Sequence, residues 1–402
     1  MTDMLKYIGP KVIKNMEPEQ TNGGGVGKSI LWLVVLILIV GGFVLYGSKG
    51  GDKASKGTIK IGAILPLTGD AAAYGEAARN VLQLAAEEIN QNGGINGQNL
   101  ELIIEDGKCN GKDAASAMQK LANVDKTKFV IGGFCSGESL AAVPVATESK
   151  VVLLSPGSSS PDLTGVSPYF FRIFPSDAGQ GELDAKAANE KKWKTIAFIQ
   201  EQAEYTTGIQ KVFTARFEEL GGKTVVEGFS TGVTDFRSSL AKLKSQKPDA
   251  LFVNSNGSAN LGRILKQVKE MNWTIPLLLN EAILGDAKSI EENKSLLEGA
   301  IGVEFVADAT NPKYQKLLES YKQKYEQDLP FQNYAHTEYD AVYIARDGIM
   351  TVGNDGEKLA TWSRTIKDWD GASGKVTIKP DGDRESGYTP RIVHDGKVEV
   401  AQ

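Results

Sequence analysis

The sequence predicts an α/β protein of two doubly wound, Rossmann-like lobes with a hinge, preceded by a single N-terminal transmembrane helix. Three observations carry this. Twenty uncharged residues stand between Lys28 and Lys49. From Thr58 onward, short apolar runs alternate with helix-patterned stretches in β-α-β-α order, and near-continuous apolar strands belong to parallel sheets covered on both faces. The same rhythm begins again at Thr195. With 402 residues, 41% apolar and 24% charged, the chain is long and apolar enough to bury a core in each lobe.

Composition also excludes several functions. Fifty acids against 45 bases give a net charge of -5 and no basic footprint for nucleic acid. Two cysteines are too few for a disulfide-dense scaffold or a four-thiolate zinc site. The two histidines, His336 and His394, share no motif spacing. No GxSxG elbow, HExxH or paired Cys-His motif is present, so the expectation is a protein that is not an enzyme, with no cofactor and no metal.

In order along the chain, residues 1–28 form a short N-terminal tail. It ends in NGGGVGKS, which only imitates a phosphate-binding loop, because Asn22 replaces the first glycine and no strand precedes it. Residues 29–48, SILWLVVLILIVGGFVLYGS, would span about 30 Å as a helix, the thickness of a bilayer core. Leu45, Tyr46, Ser48 and Lys49 fit a signal-cleavage site poorly, and no cysteine follows for lipid attachment, so an uncleaved signal anchor is expected. Lysines 6, 11, 14 and 28 precede the span and lysines 49, 53, 56 and 60 follow it, so charge does not orient it. Residues 49–57 read as a polar linker that holds the folded part near the bilayer.

The first lobe opens with the strand TIKIGAILP, a helix closed by Gly93-Gly94, the strand LELIIED, a helix near Ala114 to Val124, then FVIGGF, another helix, and VVLLSPG. The second repeats it with TIAFIQE, a helix closed by Gly221-Gly222, TVVEGFS, a helix near Phe236 to Lys244, ALFVNSN, a helix to Met271, and IPLLLNE. After AIGVEFVAD come three helices, near Pro312 to Gln327, Ala335 to Thr351 and Lys358 to Lys367. A tail of extended strands with the turn Asp395-Gly396 follows. Helices returning late, then strands, imply more than one crossing between lobes.

Ligands of open α/β sheets bind beyond the C-terminal ends of the strands. There the chain places Cys135-Ser136-Gly137-Glu138 after FVIGGF and Pro156-Gly157-Ser158-Ser159-Ser160 after VVLLS. Both turns offer hydroxyls and backbone N–H groups suited to an anion such as a carboxylate, although Ser and Gly are also ordinary turn residues. Glu281 directly follows a buried-type strand and is a candidate partner for a ligand cation; a solvated strand-end acid is the alternative. Tyr74, Tyr205 and Tyr339 are candidate cleft aromatics.

From about Thr58 to the C-terminus the chain resembles the periplasmic leucine/isoleucine/valine-binding proteins, the branched-chain type of solute receptor for ABC importers. The matching stretches are IKIGAILPLTGDAAAYG, AAEEINQNGGINGQNLELIIED, FVIGGFCSGES, LLSPGSSSPDLT, YFFRIFPSDAGQG and YDAVYIARDGI, in that order. The resemblance implies a type I periplasmic binding fold, with residues 58–176 and 306–368 in one lobe and 177–305 and 369–402 in the other, closing by hinge bending on a small solute. It implies that Ser136, Ser158 and Ser159 hold an amino acid's carboxylate, that Glu281 pairs with its ammonium beside Tyr205, and that Tyr74 and Tyr339 line the cleft. It also implies a disulfide between Cys109 and Cys135, which would place the folded part outside the cytoplasm. Thr206, where the family usually has glycine, and Asn256-Gly257, where some members have an aromatic, imply an altered side-chain pocket. The expected partners are an amino acid, an ABC permease and the membrane. An amide- or urea-type solute and a ligand-sensing role remain alternatives.

Overall fold

The computed structural model describes residues 57–385 and 387–401. The predicted membrane span at 29–48, the tail before it and the linker as far as residue 56 lie outside the described residues. Among the described residues no helix is long and apolar enough to cross a membrane.

The first lobe is a five-stranded parallel sheet of β1 (Ile59–Leu65), β2 (Leu100–Asp106), β3 (Phe129–Ile131), β4 (Val152–Ser155) and β5 (Phe170–Arg172), in the order β2-β1-β3-β4-β5. Every residue of β3, β4 and β5 is buried, because helices cover both faces. Helix α1 (Ala72–Gln91) packs on one face with apolar Val81, Leu82, Leu84, Ala85 and Ile89; α2 (Gly111–Asn123) and α3 (Ser136–Glu148) pack on the other. Helix α2 starts where the Asn110 side chain accepts a hydrogen bond from the Asp113 N–H, an N-cap of the kind that contributes about 1 kcal/mol.

The second lobe repeats this plan. Strands β6 (Thr195–Glu201), β7 (Lys223–Phe229), β8 (Ala250–Asn254), β9 (Leu277–Leu279) and β10 (Ile301–Glu304) lie parallel in the order β7-β6-β8-β9-β10. This is the order of the first lobe, and each sheet reverses its strand order between its first and third strands. Helices α4 (Asp177–Glu190) and α5 (Glu204–Glu219) cover one face, while α6 (Arg237–Ser245) and α7 (Leu261–Glu270) cover the other. The short helices α8 (Glu281–Leu284), α9 (Ala287–Glu292) and α10 (Lys294–Leu297) lead from β9 to β10.

After β10 the chain returns to the first lobe. Helices α11 (Pro312–Tyr325), α12 (Gln332–Val352) and α13 (Gly356–Ser363) join the core beneath α1. The hairpin β11 (Trp369–Gly371) and β12 (Gly374–Val376) follows, and then β13 (Thr389–His394) and β14 (Lys397–Val400) add antiparallel to the edge of the second sheet at β10. The division expected after residue 368 is therefore corrected. Residues 369–385 pack with the first lobe, where Ala372, Val376 and Ile378 lie in its core. The Asp340 carboxylate accepts from the N–H groups of Ala372 and Ser373 at 2.7 and 2.8 Å, and buried Arg172 donates to Asp383 at 2.6 and 2.9 Å. A strand-rich tail carries no signal of which sheet it joins, and here it serves both. The chain crosses between lobes near 173–176 and 304–307, and again before β13, between residue 385 in the first lobe and residue 389 in the second.

Candidate functional site

The C-terminal ends of β3 and β4 face those of β6, β8 and β9 across the gap between the lobes. There Phe134, Ser136 and Gly157 of the first lobe and Tyr205, Asn256 and Ala282 of the second enclose a small cavity of about 30 Å³, with Tyr334 of α12 at its side. The lobes touch around it. The Tyr74 hydroxyl, from the first turn of α1, donates to the Ala282 carbonyl at 2.9 Å, and Tyr74 itself packs against Gly257, where a Cβ would lie 3.0 Å from its ring.

The first-lobe wall is built around the start of α3. Ser136 and Gly137 open that helix, so their N–H groups have no carbonyl behind them in the helix to bond. The Ser136 hydroxyl oxygen accepts from the Ser160 N–H at 3.1 Å, tying the two serine-bearing turns together. The Ser159 N–H makes no hydrogen bond among the described residues. Beneath the turn, the Glu138 carboxylate accepts from the N–H groups of Cys109 and Cys135, each at 2.9 Å. Burial pushes Glu138 up to about 7 against those two bonds. The same two residues form the disulfide, with their Cα atoms 5.3 Å apart. A covalent bridge and a carboxylate clamp thus fix the turn that carries Ser136.

The second-lobe wall centres on the first residues of α8. The Asn280 side chain caps this helix, accepting from the Ile283 N–H at 3.2 Å, while its amide donates to the Asn254 side chain and the Ser255 carbonyl at 2.9 and 2.8 Å. Asn254 donates in turn to the Thr206 carbonyl at 2.9 Å. These buried amides lace the ends of β8 and β9 to the start of α5 and so set the position of Glu281 and Tyr205. The Glu281 carboxylate accepts from the Phe305 N–H at 2.8 Å, and the Tyr205 hydroxyl accepts from the Ala282 N–H at 3.3 Å. The Ala282 backbone is therefore held at its N–H by Tyr205 of the second lobe and at its carbonyl by Tyr74 of the first.

Two buried acids gather here. Burial holds the Glu281 carboxyl well above the usual carboxylate range, opposed by the Phe305 N–H and reinforced by the neighbouring acids Glu304 and Asp177. Asp177, the first residue of α4, is pushed up to about 7 by burial, against hydrogen bonds from the hydroxyls of Ser159 at 2.7 Å and Tyr388 at 3.0 Å. Tyr205, Tyr334 and Tyr388 lie within the field of both acids. A site with two desolvated carboxyls and a ring of phenols favours a cation.

Of the residues expected from sequence, Ser136 and Tyr205 line the cavity, Tyr74 closes over it, and Glu281 precedes Ala282 in its wall. Ser159 reaches the site only through Asp177. Ser158 turns inward: its hydroxyl lies 2.8 Å from the Gly133 carbonyl and 2.7 Å from the Ser139 hydroxyl, and its N–H donates to the Ser155 hydroxyl at 2.8 Å, so it does not line the cavity. Tyr339 is corrected. Its hydroxyl donates to Glu88 of α1 at 2.5 Å, inside the first lobe. The tyrosine of α12 that reaches the cavity is Tyr334, five residues earlier and so about 140° around the helix. Sequence reasoning missed Asp177, Tyr334 and Tyr388. The SDAGQ start of a helix was a usable signal for Asp177, since its acid sits where a strand has just ended. Nothing in the local pattern marks Tyr388.

Comparisons with known proteins agree with this geometry. The family described as periplasmic binding protein matches residues 58–390. A leucine-, isoleucine-, valine-, threonine- and alanine-binding protein of Pseudomonas aeruginosa is 31% identical over 80% of this chain and 85% of its own length. A Leu/Ile/Val-binding protein of Rhizobium johnstonii is 30% identical over 82% and 89%. Among solved structures, a leucine-binding protein of Thermotoga maritima superposes with a TM-score of 0.77 at 29% identity, over 86% of this chain and 98% of that one. A branched-chain amino acid transporter substrate-binding protein of Streptococcus pneumoniae, in complex with isoleucine, gives 0.76 at 28% identity, over 85% and 98%. Two like-ordered sheets, three crossings and this breadth of similarity lead to one conclusion: the chain belongs to the periplasmic binding protein family, in its branched-chain amino acid branch.

Proposed function

We propose that this protein is the extracytoplasmic solute-binding component of an ABC importer, tethered to the membrane through residues 29–48. In this reading it binds an amino acid between its lobes, closes on it and delivers it to a permease. The observation that carries the reading is the opposition of two unlike walls. One presents free N–H groups and the Ser136 hydroxyl; the other presents Glu281 with Asp177 beside it. A zwitterion leaving water needs both of its charges met, and here the two partners stand on different lobes, so only closure meets both. The solute then shifts the open–closed equilibrium by its preference for the closed form.

The names of the relatives favour a branched-chain or similar small amino acid. Asn256 in the cavity wall supports a second reading, a solute with a small polar or amide group. A thermal-shift screen of the common amino acids and short amides, followed by calorimetry, separates the two. An amino acid that raises the melting temperature and binds one to the cleft supports the proposal. Response to amides alone, or to none of the panel, contradicts it.

A further inference from the structure

A second and larger hollow, about 990 Å³, lies between the lobes and shares no lining residue with the cavity above. That volume is in the range of small-molecule sites. One wall carries Glu304, the last residue of β10, and Arg391 of β13. The antiparallel register sets Gly302 opposite Arg391 and Glu304 opposite Thr389, so the two charged side chains share one face of the sheet. The facing wall comes from the first lobe, with Tyr314 of α11 and Asn333 of α12.

The polar groups of this hollow are incompletely paired. Glu304 and Arg391 are 8% and 9% exposed. They meet at 3.4 Å through Arg391 Nε and Glu304 Oε2, yet Nε makes no hydrogen bond among the described residues. Asn333 is 3% exposed, and neither atom of its carboxamide has a partner. Buried charges are normally satisfied by additional hydrogen bonds as well as by each other. Burial pushes the Glu304 carboxyl up to about 7, with Arg391 opposing.

We propose that this hollow is a second small-molecule site, which takes the charged head of a free amino acid. Arg391 holds its carboxylate and Glu304 its ammonium. An α-amino acid carries its two charged groups on one carbon, matching a cation and an anion set side by side on one sheet face, and Val306 and Leu318 offer apolar surface to its side chain. Because Glu304 immediately precedes a crossing between lobes, an occupant touching both walls is coupled to the opening and closing of the cleft. The two sites share no lining residue, although Glu304 lies within the field of Glu281, and the inference does not rest on the cleft reading.

Titration calorimetry of the full-length protein with L-leucine, L-threonine and L-glutamine into the millimolar range tests it. At least one of these is expected to bind at two sites per chain. Arg391→Met, which keeps the apolar stem, is expected to weaken the second event at least about tenfold while changing the first by less than about threefold. Glu304→Gln is expected to weaken the second event as much, and its effect on the first does not bear on the inference, because Glu304 neighbours Glu281. If Arg391→Met does not fold, Glu304→Gln decides. A single site per chain for all three solutes overturns this inference and leaves the cleft reading standing. A second site of unchanged affinity in the folded variants also overturns it, and binding at neither site overturns both.

Discussion

At the scale of single residues, the proposed function depends on two buried acids, Glu281 and Asp177, that meet the cationic end of the solute. Glu281→Ala is expected to weaken amino-acid binding by about 3–5 kcal/mol, because the ammonium is left buried without its partner; calorimetry measures it directly. The raised position of Glu281 also predicts a pH dependence. A bound ammonium favours the ionised carboxylate, so binding expels a proton and affinity falls as pH falls, by up to about tenfold per pH unit for one proton. Titrations in buffers of different ionisation enthalpy count that proton. The raised position of Asp177 acts on stability instead, and with the opposite dependence on pH. Its folded value of about 7 exceeds the ordinary 3.8, so the folded protein keeps a proton that the unfolded chain releases. Without solute, its contribution to stability is greatest below about pH 4 and declines as pH rises towards 7. Asp177→Asn should flatten that decline in a denaturation series across this range.

At the scale of elements, two fastenings hold the binding turns in place. The disulfide between Cys109 and Cys135, 26 residues apart, should contribute about 3 kcal/mol. The double replacement by serine is expected to lower the melting temperature and to loosen the Ser136 turn, weakening solute binding as well. The tail is fastened by Asp383, whose loss would strand the fully buried Arg172 guanidinium. Asp383→Ala is expected to cost about 3–5 kcal/mol of stability in chemical denaturation. The elements themselves were largely legible in the sequence. Apolar runs such as ALFVN and VLLS, set in β-α-β order, read as buried strands and are so, and glycine pairs marked helix ends. Less legible was what depends on long-range packing. Tyr334 and Tyr339 look equivalent in a sequence but differ by their faces of one helix, and the hydroxyl of Ser158 is diverted by carbonyls from another turn. The side on which residues 369–385 pack is set by Asp340 and Arg172, each remote in sequence.

At the scale of the whole molecule, the claim is that the lobes close over a dipolar solute. Gly285 of the second lobe lies so near Asn333 of the first that a Cβ there would come within 2.3 Å of its side-chain nitrogen. Its backbone is unstrained, with φ of -69°, so what a larger residue meets here is the Asn333 side chain, which would have to turn aside. Gly285→Val should therefore oppose closure and weaken binding without touching the solute, while leaving the open form folded; small-angle scattering with and without solute would show a smaller compaction than in the unaltered protein. The account's central claim is that Glu281 on one lobe reads the positive end of a solute whose negative end is held by the other. The most direct measurement is a calorimetric comparison of the tightest amino acid found with the same molecule lacking its amino group, on the unaltered protein and on Glu281→Ala. The account predicts about 100-fold or greater discrimination by the unaltered protein, corresponding to some 3 kcal/mol, and most of it lost in the variant. Equal discrimination by both proteins, or none by either, would contradict it.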